Sequence, residues 1–428
     1  MYDAASEPSS AIGLPRVGYR WRICALLFFA TVIAYIDRGV IGYLEKFLEK
    51  EIGWNSIQYS YITTAFQIAY AIGLATAGRL TDRLGTRKGF AFAITLWSVA
   101  AMLPAVAYSV ETFAIAMFIL GLGEAANFPA CIKTIAEWFP RKERAFATGT
   151  FNSGANVGNI VVPIVVPFLT AELGWRGAFV GTGALGFIWL AFWLVMYAKP
   201  HEHQGVSPAE LAHIQSDPGE RTGSVPLMRI LPRKEAWAFA IGKFLTDPIW
   251  WFYLFWLPRY LQGTFHLNLS QSRTPIIAVY TISCAGSVLG GWLSALFAKR
   301  GFSANASRKF ALLSCALPVV PIIYAPYTQS LWMVVLLVGI AAAAHQGWSA
   351  NLYTITSDTF PKSAVATVVG FGGMIGALGG ALFQLATGRI VAATNSYIPL
   401  FLMACIAYLA ALGIIQLLSP SLKPARLD

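Results

Sequence analysis

Charge is scarce in this chain. Only 12% of its 428 residues are Asp, Glu, Lys or Arg, where a water-soluble domain carries about 25%. That shortage excludes an ordinary soluble enzyme. It also takes nucleic-acid binding off the table, although the formal net charge is +11. Cysteine is scarce as well: five residues, at 24, 131, 284, 315 and 405, with neither disulfide nor metal-ligand spacing. Packing is the role expected of each. A phosphate loop is missing too. The glycine-rich run GFGGMIGALGG at 370–380 sits in apolar sequence and lacks a Lys-Ser/Thr ending. It reads as a close-packing helix face. No cofactor and no metal are expected.

Apolar sequence fills the chain, at 57% of residues. Twelve stretches are each long enough to cross about 30 Å of hydrocarbon. They lie near 21–43, 57–79, 89–108, 111–137, 143–170, 175–198, 236–262, 273–298, 309–327, 330–357, 363–389 and 396–418. The expected fold is an all-α membrane protein of twelve transmembrane helices. Of the 31 Lys and Arg, 22 fall on one side of that topology and six on the other (Lys46, Lys50, Arg176, Arg259, Arg273, Arg389). This positive-inside bias predicts that both termini are cytoplasmic. The tail before Trp21 lacks a cleavable signal pattern, so the first span should be retained.

One polar stretch, 199–235, interrupts the spans with HEHQG, SDPGE and RTGSVP. It predicts a cytoplasmic linker between two six-helix bundles, 1–198 and 236–428. The halves repeat. EWFPRKERA at 137–145 matches DTFPKSAVA at 358–366, and Gly149 and Gly370 keep the same offset of 221 residues. Pseudo-symmetric repeats with a site at their interface suit alternating-access transport.

Tyr35-Ile36-Asp37-Arg38 stands inside the first apolar run. An ionised residue in hydrocarbon costs about 2.5–3.5 kcal/mol on insertion scales. Two in succession should face a bundle interior or a watery cavity. Arg38 can grip a carboxylate through two parallel bonds, or it can pair with Asp37 or an acid from another helix. Glu124 lies about 13 residues into the fourth span, roughly 20 Å deep. Burial favours a neutral carboxyl and a nearby arginine a charged one, so Asp37 and Glu124 are candidate proton carriers. Hydrogen-bonded structural carboxyls are the alternative.

In the seventh run, Lys243 and Asp247 share a helical face, and Pro248 can break the backbone ladder locally, as transporter sites tolerate. Lys243 either reaches an anionic substrate or neutralises Asp247; Asp247 is a further proton-carrier candidate. Trp250, Trp251 and Tyr253 offer flat aromatic faces to a ligand, or pack against lipid. The tenth run supplies His345, Gln346, Trp348, Ser349 and Asn351, suited to hydroxyl groups. Gln67, Tyr70, Asn152 and Asn156 are further cavity candidates, though such residues also join helices to one another.

GRLTDRLGTRK at 78–88 fits Gly-x-x-x-Asp-Arg-x-Gly-x-Arg-Lys. It resembles the signature loop of the major facilitator superfamily. Its Asp82 and Arg83 are expected to act in gating, with Lys133 and Glu137 at the end of the fourth span. The equivalent loop in the second half has Ala295 in place of the acid, which predicts a weaker latch.

A closer resemblance is to the anion:cation symporter branch, and within it to bacterial hexuronate transporters. It rests on YIDR at 35–38, GLGEAANFPA at 121–130, EWFPRKERA at 137–145, FLTDPIWWFYLFWLP at 244–258 and AHQGWSANLYTITSDTFP at 344–361. The resemblance implies proton-coupled import of a sugar acid such as glucuronate or galacturonate. It implies carboxylate binding by Arg38, substrate contact by Tyr35 and Tyr70, and coupling through the two acids. It places the chain in the bacterial inner membrane, where it is expected to work as a monomer. Relatives carrying galactonate, glucarate, tartrate or glutamate share the first three of these segments and keep those substrates open. The sequence departs from the branch at Met117, where several members have an arginine. A membrane enzyme would need an interfacial nucleophile or a metal cluster. A sensor would need a larger output domain than the linker offers.

Overall fold

The computed structural model describes residues 18–216, 225–422 and 425, with the side chains of 78–82, 141, 145, 287, 288 and 362 outside the description. Fifteen α-helices follow one another, and no strand occurs among the described residues. They are α1 (Tyr19–Ile52), α2 (Ser56–Leu84), α3 (Thr86–Met102), α4 (Val110–Glu124), α5 (Asn127–Trp138), α6 (Arg141–Met196), α7 (Pro208–Ile214), α8 (Leu227–Ile230), α9 (Lys234–Phe255), α10 (Leu257–Thr264), α11 (Arg273–Lys299), α12 (Ala304–Ala316), α13 (Leu331–Thr359), α14 (Lys362–Thr394) and α15 (Ile398–Leu418). Short 3-10 segments, Leu103–Val106 and Leu317–Tyr327, extend α3 and α12.

Local sequence explains most of the boundaries. Asn55 and Gln58 form a capping box at the start of α2, and Ser109 and Thr112 form one at α4; each satisfies amide groups the first turn leaves orphaned. Gly53 ends α1 with a φ of 82°, a left-handed conformation that glycine adopts without steric cost. Gly174 (φ 71°) divides the 56-residue α6 into two rods.

The internal repeat has a geometric counterpart. Phe139-Pro140 and Phe360-Pro361 each turn the chain between helices. The prolines sit at φ −65°, ψ 153° and φ −61°, ψ 149° as caps of α6 and α14. The acid before each turn ties back to the start of an earlier helix. Glu137 accepts from Thr86 at the head of α3 (2.6 Å) and from the Tyr197 hydroxyl. Asp358 accepts from Arg308 in α12 (2.9 Å), which also donates to Ser294 (2.6 Å). The second half thus anchors this turn through Ser294 and Asp358, beside the alanine at 295.

Nine described helical stretches are long and apolar enough to cross a membrane, and one of them is the divided α6. α2 and α9 are not among the nine. They carry Ser60, Thr63, Thr64 and Gln67, and Lys243 and Asp247, all but Asp247 buried. Outward-facing Phe29, Val106, Phe168, Val195 and Leu417 give the molecule an apolar shell, as a lipid-facing surface requires.

α1 to α6 pack on one another, as do α9 to α15. The two groups meet where α2 lies along α14, α6 along α11, and α1 against α9 and α10. Glycines permit the closest approaches. A methyl group at Gly286 would fall 1.8 Å from the Ala343 carbonyl oxygen, and one at Gly290 2.2 Å from Gly347 Cα.

α9 runs on through Pro248, with the ladder interrupted only at that one bond, and the chain breaks at Trp256, ahead of Pro258. Pro248 removes the amide that would bond to the carbonyl of Phe244. That carbonyl instead lies against Gly379 of α14, where a side chain would approach within 2.5 Å. Pro258 sits in the first turn of α10, where a missing N–H is harmless.

Candidate functional site

Arg38 is almost fully buried in α1, and its partner is Glu124 at the last residue of α4. Nε and Nη2 both donate to Glu124 Oε2, at 2.8 and 2.5 Å. Glu124 Oε1 is buried and meets no hydrogen-bond partner. α4 ends here because the chain breaks at Ala125-Ala126 before α5 begins. The acid that Arg38 selects therefore comes from another helix. Asp37 is buried as well, with neither oxygen hydrogen-bonded.

Four aromatic rings surround the guanidinium. Its carbon lies 4.5 Å from the centroid of Tyr35, 5.1 Å from Phe66, 5.1 Å from Tyr70 and 4.9 Å from Trp251. Each is within the roughly 6 Å at which a ring face attracts a cation. Tyr35, Phe66 and Tyr70 come from α1 and α2, and Trp251 from α9 across the interface. Gln67 is buried beside them with no partner for either amide atom. Gly380 makes room for both: a methyl group there would stand 3.1 Å from the Trp251 ring and 3.2 Å from Gln67.

A second cation–carboxylate couple occupies the other helix group. Lys243 Nζ lies 2.8 Å from Asp247 Oδ2 and 3.1 Å from Oδ1, and donates to the Tyr353 hydroxyl at 3.3 Å. Gly376 of α14 leaves the space, since a methyl group there would sit 2.5 Å from Asp247 Oδ2. Of the two roles open to Lys243, this geometry displays the internal pair. Trp250 stacks on His345 (5.3 Å, 12°), and the Nδ1 of His345 bonds to the Tyr408 hydroxyl at 2.8 Å. Both tryptophans are buried, facing protein rather than lipid.

The remaining candidates divide. Gln346 donates to Asn156 across the interface at 3.0 Å. Asn152, one turn from Asn156, is exposed. Asn351 spends its amide on the carbonyls of Gly290 and Gly347 (2.8 and 2.9 Å), fastening α11 to α13. Trp348 packs edge-on against Tyr408. Neither joins the Arg38 cluster. Glu137 serves the turn described above; Lys133 lies one helical turn before it on α5, and Arg83 is exposed at the end of α2. The side chain of Asp82 lies outside the described residues.

One cluster escaped the sequence reading. Arg259 of α10 is clasped by Glu45 of α1, by Glu49 Oε1 (2.8 Å) and by Ser56 Oγ of α2 (2.8 Å). Glu45 is fully buried. Beside it, Tyr59 donates to the Phe255 carbonyl (2.8 Å) and Tyr43 to that of Leu269 (2.6 Å). These bonds join the two helix groups at the α1–α2 turn end. The available signal was two acids four residues apart beside that turn.

Comparison with known proteins agrees with this architecture. The Major Facilitator Superfamily model matches residues 27–384. The chain is 33% identical to a hexuronate transporter of Escherichia coli (strain K12) over 417 residues, 95% of each chain. It is 32% identical to a galacturonate transporter of Dickeya chrysanthemi over 66% of this chain and 83% of that one. It is 29% identical to a probable galactarate/D-glucarate transporter of Bacillus subtilis (strain 168), over 89% of this chain and 88% of that one. Among solved structures, an inward-facing, occupied bacterial homologue of the human lysosomal transporter Spinster superposes with a TM-score of 0.69 at 18% identity, covering 94% of this chain and 96% of that one. The fold, the paired helix groups and these relatives lead to one conclusion: the chain belongs to the major facilitator superfamily and is a multi-pass membrane transporter, not an enzyme.

Proposed function

We propose that this protein imports hexuronates, such as glucuronate and galacturonate, by proton symport across the bacterial inner membrane. It would do so as a monomer with twelve spans, both termini cytoplasmic, and two bundles (1–198 and 236–428) rocking about a site between them. The observation that carries the reading is the Arg38–Glu124 couple inside its aromatic cage. Relatives named for hexuronate, galacturonate and galactarate transport support the substrate class.

Coupling follows from competition for one guanidinium. Nε and Nη2, one edge of the Arg38 guanidinium, are both committed to a single oxygen of Glu124. A substrate carboxylate seeking the same two donors must displace that oxygen. A proton arriving on Glu124 removes its charge and releases Arg38 for the anion. Proton and anion then load together, and a monoanion crosses with one proton without net charge. Asp37, buried with neither carboxylate oxygen in a hydrogen bond, is the second proton site. Gln67, Tyr35 and Tyr70 meet the sugar hydroxyls, and Trp251 the ring face. Lys243 and Asp247 repeat the cation–carboxylate arrangement on the opposite wall.

The test is uptake of radiolabelled glucuronate into proteoliposomes under an imposed pH gradient, with galacturonate, galactonate and glucarate as competitors. Accumulation that follows the gradient and is blocked by hexuronates is expected. Absence of hexuronate transport sinks the substrate assignment, and accumulation indifferent to the gradient sinks proton coupling.

A further inference from the structure

A small cavity lies between the two helix groups, on the side of Arg38 nearer the α1–α2 turn. Gly39 and Tyr43 of α1 and Asn159 of α6 form one wall; Leu254 of α9 and Ile276 and Tyr280 of α11 form the other. Asn159 is 1% exposed, and neither its amide nitrogen nor its amide oxygen meets a protein partner. The two tyrosines are already engaged, Tyr43 with Leu269 and Tyr280 with the Tyr253 carbonyl at 3.2 Å. A carboxamide buried with both ends unmatched is costly. Such a group calls for a partner, and one that the closed interface does not supply can come from a ligand bound in the other conformation.

Asn159 also continues a series. Asn152, Asn156 and Asn159 fall at i, i+4 and i+7, on one face of α6. Asn152 is exposed, Asn156 is bonded across the interface to Gln346, and Asn159 is sealed in the cavity. The row runs along α6 from exposed Asn152 toward the end of the interface fastened by Arg259. The cavity has little volume, so a ligand reaches Asn159 only when the helix groups part there.

We propose that Asn159 is a substrate-hydroxyl ligand of the state open at the α1–α2 turn end, forming an outer subsite one turn beyond Asn156. Its amide donates to one hydroxyl of a polyhydroxylated acid and accepts from it or its neighbour. The contact is lost when the interface closes, so this residue sets affinity on one face of the membrane only. This rests on the proposed sugar-acid transport.

The experiment compares Asn159→Ala with the unaltered protein in right-side-out and inside-out vesicles, using labelled glucuronate and singly deoxygenated glucuronates. Half-saturation from the α1–α2 turn side is expected to rise about tenfold, equivalent to ~1.4 kcal/mol; from the other side it should not change. One deoxy analogue, weaker than glucuronate for the unaltered protein, should lose nothing further in the variant. Equal weakening from both sides, with a lowered melting temperature, or no change from either side, overturns the proposal. Should Asn159→Ala not reach the membrane, Asn159→Ser keeps a donor and an acceptor and is read in the same way, with a smaller one-sided rise expected. Unaltered protein that carries no hexuronate defeats the transport reading instead, a separate result.

Discussion

Arg38 and Glu124, 86 positions apart in sequence, meet through a single carboxylate oxygen, with both donors converging on Oε2 and Oε1 left unmatched. Breaking a buried pair by removing one partner typically costs about 3–5 kcal/mol, because the other charge stays stranded. In the proposed cycle, a proton on Glu124 and a substrate carboxylate on Arg38 resolve that stranding. The first predictions come from this relationship.

Replacing Glu124 by Gln leaves Arg38 permanently available to an anion. Gradient-driven accumulation of glucuronate should disappear, whereas exchange of labelled for unlabelled substrate should persist. Proteoliposomes assayed both ways check this. A variant that no longer binds substrate contradicts the role given to Glu124.

Arg38→Lys keeps the charge but loses the planar fork and the stacking on Tyr35 and Trp251. Lysine cannot make the parallel pair of bonds to a carboxylate. Half-saturation for glucuronate should rise by about 100-fold, of the order of two charge-assisted bonds weakened. Transport kinetics unchanged within threefold would refute the clamp.

The clasp of Arg259 by Glu45 and Glu49 ties the two helix groups together at the α1–α2 turn end. Arg259→Gln should populate the state open at that end. A single cysteine at Ile276, in a chain whose five native cysteines are replaced, reports the change through a membrane-impermeant maleimide. Labelling should accelerate about tenfold, equivalent to ~1.4 kcal/mol. Equal rates with and without the substitution would remove the gate from consideration.

Gly376 and Gly370 provide a matched pair on one helix. A methyl group at 376 would stand 2.5 Å from Asp247 Oδ2 and 3.2 Å from Lys243 Cβ, whereas one at 370 meets nothing within 4 Å. Overpacking a filled site costs about 1–3 kcal/mol. Gly376→Ala should therefore depress transport at least tenfold, and Gly370→Ala should leave it intact. Initial rates normalised to protein in the membrane distinguish the two.

Much of the site was legible because its residues are improbable where they stand. Arg38, Glu124 and Lys243 are conspicuous in hydrocarbon for energetic reasons that need no partner to be known. The turn at Phe139-Pro140 and its echo at Phe360-Pro361 are local, and the structure repeats their backbone angles. Asn351 and Asn159 show the limit of such reading. Both are amides in apolar helices, yet one is consumed by two backbone carbonyls and the other meets none. Pro248 shows it again, since the carbonyl it frees is accommodated by Gly379, a residue more than a hundred positions away.

The sequence by itself determined the environment and the repeat. Hydropathy decides which solvent a segment tolerates, and capping residues, proline and glycine act within a turn or two of their own position. Only the tertiary structure decided the partners: Glu124 rather than Asp37 for Arg38, the aromatic cage drawn from both helix groups, and Glu45 and Glu49 for Arg259. Such pairings depend on how rigid helices cross, and crossing is fixed by packing between surfaces distant in the chain rather than by any periodicity along it.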